Sequence, residues 1–310
     1  MKLSAHNRKP TILVLAYKRP RHLATCLESI SKNSNFEDYK TIISIDGPRG
    51  DSEKNLVNDV IEVADDFKRK MRNVDIWTSQ TNRGLSCSVI DSINRVFTTS
   101  ESIIVIEDDL ILGENFLNFC KKGLETYKHD SRVCAISGFS LPIKHEGEAY
   151  FLRGADCWGW ATWKDRWALL ERDGNTLVGE IKKEKLVRAF DLDYSYQYTR
   201  MLERQARGER DSWAIRWHAS MFIKGKLSLY PRDSLVQNIG NDGSGTNMGI
   251  STSYMTMLSN SMPIVGDLEV KETGDARSKL ISYYKTKFRK NWKQKTLDSF
   301  KRLFYPDKIL

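Results

Sequence analysis

The chain has 310 residues, 40% of them hydrophobic and 29% charged, with a formal net charge of +9. Such a length holds one large domain or two modest ones, with ample apolar material for a core. The charge lies in one place: residues 277–310 carry eleven Lys and Arg against Asp298 and Asp307, so residues 1–276 balance to zero, and the reading is against a nucleic-acid protein with basic residues spread over its fold.

Elements alternate along the chain. TILVLAY (Thr11–Tyr17) is a continuous apolar run suited to a strand covered on both faces. Arg19-Pro20 then opens a helical stretch with Leu23, Leu27 and Ile30 on one side. TIISID is a second strand, stopped by Gly47-Pro48, and Asp51 to Met71 reads as an amphipathic helix with Leu56, Val60, Val63 and Phe67 on its apolar side. VDIWTS follows as a third strand, Leu85–Phe97 as a helix, SIIVIEDDL as a fourth strand, Asn115–Tyr127 as a helix and VCAISGF as a fifth strand. Strand–helix alternation with short links predicts an α/β fold around a largely parallel sheet. Further on, Trp160, Trp163 and Trp167 are spaced as the core stripe of a helix.

The five cysteines are odd in number, widely spaced and without a C-x-x-C pair, which suggests neither a zinc cage nor a disulfide framework. No run of 18 apolar residues occurs, and the first residues lack a long apolar segment before a cleavage site. The expected compartment is a reducing cytoplasm.

Ligands of open parallel sheets bind beyond the carboxyl ends of the strands. The residues there are Lys18-Arg19, Asp46, Asn82-Arg83 and the triplet Glu107-Asp108-Asp109. A crevice with both signs suits a diphosphate held partly by arginine and partly by a metal. Three bare carboxylates repel one another unless a cation neutralises them, and a hard divalent ion, Mg²⁺ or Mn²⁺, also binds phosphate.

The acidic triplet after an apolar strand is similar to the metal motif of GT-A glycosyltransferases, a Rossmann-like class that uses nucleotide sugars. ILVLAYKRP, IISIDG, VIEDDL, DCWGWATWKDRW, RDSWAIRW and LVQNIGNDGSGTN together resemble the N-acetylglucosaminyltransferase I family and its bacterial relatives over residues 10–247. The resemblance implies a metal-dependent, inverting transferase that moves a sugar from a UDP-sugar to a hydroxyl of a bacterial surface glycan or lipid-linked precursor. It implies Arg19 on the diphosphate, Asp46 on uracil or ribose, Arg83 beside the nucleotide, Glu107 and Asp108 on ribose and donor sugar, and Asp109 on the metal. Asp156 and Trp158, before and within the Trp-Gly-Trp turn, belong to the sugar pocket. Asp211 is the candidate base, at the family's D-x-W position; the eukaryotic relatives place paired acids before that Trp, whereas here Ser212 stands between. Asp211 could instead be the N-cap of a helix Trp213–Ile223. Gly240–Asn247, without a P-loop Lys, reads as a lid or an ordinary loop, and His218 as a core or surface histidine.

The expected organisation is a transferase domain over 1–250, a connecting segment over 251–276 and a basic tail over 277–310. In the tail Leu280, Tyr284, Phe288 and Trp292 recur every four residues among lysines and arginines, the pattern of an amphipathic helix suited to an anionic membrane surface, which would make the protein peripheral on the inner face of the cell membrane. A helix packed on the protein's own body, a partner-binding segment and a disordered solvated tail are the other readings. The rival functions are a nucleotidyltransferase, which would show a Gly-rich basic loop after the first strand, and a catalytically inactive sugar-binding scaffold, against which the unused carboxylates argue.

Overall fold

The computed structural model describes residues 9–243, 254, 256–266 and 268–287. The first half builds the predicted alternation: β1 (Thr11–Ala16), α1 (Pro20–Ser31), β2 (Thr41–Ile45), α2 (Asp51–Lys70), β3 (Val74–Thr78), α3 (Leu85–Val96), β4 (Ser102–Glu107), β5 (Leu110–Leu112), α4 (Phe116–Thr126) and β6 (Val133–Ser137). The second half adds β7 (Ala149–Arg153), β8 (Trp160–Trp163), α5 (Lys164–Trp167), α6 (Gly174–Lys183), α7 (Val187–Phe190), α8 (Tyr198–Ala206), α9 (Trp213–Ile223), β9 (Leu227–Pro231) and β10 (Val236–Asn238). Residues 274–287 are helical as well.

Eight strands form one sheet in the order β3-β2-β1-β4-β8-β6-β9-β7, with β5 and β10 paired apart from it. β8 and β7 run against the other six, so the fold is α/β with a mostly parallel sheet flanked by helices. Burial on both faces explains the unbroken apolar strands. In β1, Ile12 and Val14 enter one core with α1, α2 and α4, while Leu13 and Leu15 enter a second with α3 and α9. β4 divides likewise, Ile104 and Ile106 against Ile103 and Val105. A third, smaller core joins α6, α7, α8 and α9.

Two expectations need correction. The buried face of α2 is Val57, Val60, Ala64 and Phe67, and Leu56 is 42% exposed; the true stripe follows i, i+3, i+7, i+10, and Ala64 is too small to have announced it. The Trp stripe is no helix. Trp160–Trp163 is strand β8, inserted antiparallel between β4 and β6, and only Lys164–Trp167 is helical. Its tryptophans split between the two faces: Trp163 joins the first core, while Trp160 meets Trp167, Trp213 and Trp217 in a cluster whose ring centroids lie 5.1 to 6.4 Å apart.

The segment beyond β10 returns to the body. Ser259 N–H donates to Ser234 O at 2.8 Å and Asn115 Nδ2 to Asn260 O at 2.7 Å. Within helix 274–287, Ala276, Leu280, Ile281 and Tyr284 are buried in the first core. Leu280 and Tyr284, expected on the apolar face of the tail, are thus turned to the protein's own body, and Phe288 and Trp292 lie outside the described residues. No helix among the described residues is long and apolar enough to cross a membrane.

Candidate active site

The chain runs from β1 to β2 to β3 on one side and then crosses to β4 on the other side of β1. The crevice at such a reversal is where doubly wound sheets bind ligands. Arg19 leaves the end of β1 and Asp108 and Asp109 leave the end of β4, so the three meet there. One Arg19 Nη contacts Asp108 Oδ1 and lies 3.0 Å from Asp109 Oδ2. Asp108 N–H donates to Leu15 O at 2.9 Å, which fixes the acidic turn to β1.

The acids outnumber their counter-charge. Asp108 Oδ2 and Asp109 Oδ1 are buried without a hydrogen-bond partner, as are both polar atoms of the Asn241 side chain. Burial, then the charges of Asp109 and Asp108, push the Glu107 carboxyl well above the usual carboxylate range. Burial also raises Asp108, against the pull of Arg19. Beside the one guanidinium, the unpartnered oxygens of Asp108 and Asp109 form a hard oxygen-donor pair, which fits a divalent cation that takes one or two protein carboxylates and completes its shell from phosphate and water. Among the described residues no group of three or more His, Cys, Asp or Glu is placed to hold a metal ion.

Asp46 lies at the end of β2 and is a brace. Its carboxylate accepts from Gly47 N–H at 2.9 Å, Asn82 Nδ2 at 3.1 Å and Arg83 N–H at 3.0 Å. Burial pushes its carboxyl up, against these donors. Arg83 therefore faces Asp46 through its backbone, while its guanidinium pairs with Asp91 on α3 and is half-exposed. Gly47 has no room for a side chain, since a Cβ would stand 2.5 Å from Thr81 C. Asp46 and Asn82 line a cleft of about 110 Å³ together with Tyr17, Arg19, Glu107 and Asp108.

A second, larger cavity of about 540 Å³ shares Arg19, Leu85 and Glu107 with that cleft and contains Asp109, Asp156 and Trp158. Asp156 accepts from Cys157 N–H at 2.7 Å, and burial raises its pKa. Trp158 packs edge-on against Phe139 and Tyr254. Arg19, Asp46, Glu107, Asp108, Asp109, Asp156 and Trp158 thus fall into two chambers joined at Arg19 and Glu107, while Arg83 and Asp211 line neither.

Asp211 and Ser212 have separate tasks. Ser212 is the N-cap of α9, its hydroxyl accepting from Ile215 N–H at 3.5 Å. Asp211 is exposed and its Oδ2 accepts from Ser86 N–H, in the first turn of α3, at 3.1 Å. Arg210 and Ser212, on either side of it, line the larger cavity.

Glu53 escaped the sequence, whereas Gly240 and Asn241 belong to the loop expected as a lid or an ordinary loop, and His218 was expected as a core or surface histidine. Glu53, in the first turn of α2, receives Tyr17 Oη, Lys18 Nζ at 2.7 Å and Arg49 N–H at 2.9 Å. The Lys18 ammonium and Tyr17 hydroxyl hold its carboxyl down to about 2. Its only signal was an acid three residues into a helix. Asn241 and Gly240 come from the β10 loop, which the β5–β10 pairing presses onto the acids: Ile239 N–H donates to Asp109 O at 2.9 Å. His218 lies in the aromatic lining, its Nδ1 2.8 Å from Ala155 O, and burial lowers its pKa to about 4.

No family model matches the chain, and no curated protein matches it. Among solved structures, the chain is similar to the mannosyltransferase PcManGT from Pyrobaculum calidifontis in complex with GDP-Man and Mn²⁺, at 11% identity and a TM-score of 0.36 over 71% of this chain and 70% of that one. It is similar to residues 1–349 of Staphylococcus aureus TarS at 11% identity and a TM-score of 0.35, over 52% of this chain and 48% of that one. The 4-diphosphocytidyl-2C-methyl-D-erythritol synthase from Anaerococcus prevotii shares 11% identity at a TM-score of 0.30, over 52% and 73%.

Proposed function

We propose that the protein is a metal-dependent glycosyltransferase that takes a sugar from a UDP-sugar and transfers it with inversion to a hydroxyl of a bacterial surface glycan or lipid-linked precursor. The observation that carries this reading is the meeting, at the sheet's reversal point, of Arg19 with two buried carboxylates that keep unpartnered oxygens. The small cleft takes the nucleoside: Asp46 holds the turn that carries Asn82, and Tyr17 forms another part of its lining. Arg19 is held within reach of the diphosphate, and Glu107 and Asp108 border the ribose and donor sugar. Asp109 would hold Mn²⁺ or Mg²⁺, with Asp108 beside it. When bound, that ion supplies charge neutralisation for the departing diphosphate. Asp156 and Trp158 border the sugar in the larger cavity. Asp211, an exposed carboxylate beside Arg210 and Ser212 of the larger cavity, takes the proton of the attacking hydroxyl.

The passage after β1 favours this reading over a nucleotidyltransferase. Tyr17-Lys18-Arg19 runs straight into α1 at Pro20, with no Gly-rich loop to wrap a triphosphate.

The test is calorimetry of UDP in Mn²⁺ with and without EDTA, together with UDP release from a panel of UDP-sugars. Metal-dependent UDP binding is expected in the wild type and its loss in Asp109→Asn, with the fold kept because asparagine has the same shape and still offers an oxygen to Arg19. Metal-independent or absent UDP binding overturns the reading, and unchanged affinity in Asp109→Asn removes that residue from the site.

A further inference from the structure

The loop after β10 carries a side chain that the fold itself does not use. Asn241 is only 9% exposed, yet among the described residues neither its amide oxygen nor its amide nitrogen has a hydrogen-bond partner. Burial strips water from both groups, and each one left unpaired costs its desolvation. Asparagines placed for structure behave otherwise. Asn33, also buried, accepts from Leu117 N–H at 2.9 Å through Oδ1 and donates to Ser29 O at 3.2 Å through Nδ2. Asn238, at the end of β10, accepts from Gly240 N–H at 2.9 Å. A buried amide with both ends idle calls for another explanation.

The loop is fixed on either side of it. Ile239 N–H donates to Asp109 O at 2.9 Å, and Asp242 Oδ2 lies 3.2 Å from His22 Nε2 on α1. Between them Gly240 is pressed so closely on the acids that a Cβ would stand 2.1 Å from Asp109 Oδ2. Asn241 is thereby held in the lining of the larger cavity, which it shares with Arg19 and Asp109. Unpartnered atoms recur on the acids themselves, at Asp108 Oδ2 and Asp109 Oδ1.

The residue type narrows what these atoms await. An amide offers two donor hydrogens and an acceptor oxygen without a net charge, whereas a further carboxylate would add to the repulsion among Glu107, Asp108 and Asp109. A cation alone would satisfy the oxygens and leave the amide hydrogens idle. A diphosphate alone would satisfy the amide hydrogens and set its own charge against the carboxylates. The two together serve every orphaned atom: anionic oxygens accept from the amide nitrogen, and the cation with its bound water meets the carboxylate and amide oxygens.

We propose that Asn241 is a binding residue for a metal-bound diphosphate, its Nδ2 donating to a diphosphate oxygen and its Oδ1 accepting from a water of the cation's shell. That this diphosphate is part of UDP rests on the function proposed above; the role of the amide does not.

The experiment uses the full chain and two variants, Asn241→Ala and the similarly sized Asn241→Leu. Calorimetry measures UDP and inorganic pyrophosphate, each in Mn²⁺, and melting curves are recorded in EDTA without either. Both ligands should bind the wild type and lose about tenfold or more in affinity in both variants, as expected for a hydrogen bond to a charged group. The melting temperature in EDTA should stay level or rise, because the variants remove a polar group that nothing in the fold satisfies. A fall of more than about 4 °C in both, or failure of both to fold, makes Asn241 a structural residue and overturns the proposal. Affinities within about twofold of wild type overturn it too, as does a loss confined to UDP, which would place the amide against the nucleoside. Wild-type binding of pyrophosphate–Mn²⁺ but not of UDP, with the pyrophosphate lost in the variants, sinks the UDP reading and leaves Asn241 standing. A wild type that binds neither ligand sinks both.

Discussion

Asp211 and Ser212 divide two roles that one residue could not hold together. With Ser212 capping α9, Asp211 is released from that helix and accepts from the Ser86 N–H at the start of α3. Asp211→Asn retains an oxygen for that N–H, so the melting temperature should barely move while turnover falls by roughly 10²–10⁴, the span of a general base. Ser212→Ala should do the opposite, costing about 1 kcal/mol of stability with turnover kept. Rates and melting curves on both variants decide it, and full turnover in Asp211→Asn removes the base. His218 gives a pH signature. Its ring is stacked on Tyr198 at 4.5 Å and its pKa lies near 4 in the folded protein, against about 6.5 unfolded. Below pH 6.5 the unfolded chain takes up a proton that the native state refuses, so stability falls as the pH drops from 6.5 toward 4. The loss is at most about 3 kcal/mol, since the ring borders the cavity. His218→Gln should flatten that slope relative to wild type in denaturant titrations; equal slopes would show that the ring titrates normally. The acidic triplet stood out because three carboxylates after an apolar strand repel one another unless a counter-charge meets them, and the structure brings Arg19 to two of them. The Asp211–Ser86 contact did not, since 125 residues separate its partners and no local pattern encodes it.

At the level of elements, the site depends on a small sheet outside the main one. Leu110–Leu112 pairs with Val236–Asn238, and that ladder delivers Gly240 against the Arg19–Asp109 pair. A Cβ on Gly240 would stand 2.1 Å from Asp109 Oδ2 and 2.9 Å from an Arg19 Nη. Neither partner can retreat, because Arg19 is tied to Asp108 as well. Gly240→Ala should therefore push the loop off the acids and weaken UDP–Mn²⁺ binding tenfold or more, about 1.4 kcal/mol, with little change in melting temperature. Calorimetry showing wild-type affinity would mean that the loop moves freely and plays no part in the site. The regular βα units were readable because each strand is an unbroken apolar run and each helix a periodic one. The short elements were not. Trp160–Trp163 has four residues, too few to separate a period of 2 from 3.6, and β5 and β10 have three each.

Across the whole molecule, the net charge divides into +4 on residues 277–287 and +5 on residues 288–310. Helix 274–287 spends its apolar positions on the body, so a membrane-facing stripe cannot begin at Leu280. Residues 288–310 hold seven Lys and Arg against Asp298 and Asp307, with Leu297, Phe300, Leu303 and Phe304 between them. We place the membrane-binding proposal on this stretch alone. Each basic residue near an anionic surface contributes about 1 kcal/mol, screened by salt, and the apolar cluster adds a part that salt does not remove. The informative comparison is the full chain against a chain ending at Lys287, floated with anionic and with neutral liposomes. A cut near Asp275 would also strip the buried Ala276, Leu280, Ile281 and Tyr284 from the core, so aggregation would hide the answer. The full chain should float with anionic vesicles at low salt, bind less as salt rises, and ignore neutral ones; the shortened chain should stay in the soluble fraction under all conditions while keeping its UDP affinity. If both chains float alike on anionic vesicles, residues 288–310 are not the anchor and the attraction must come from the shortened chain, whose net charge of +4 is that of Arg277, Lys279, Lys285 and Lys287.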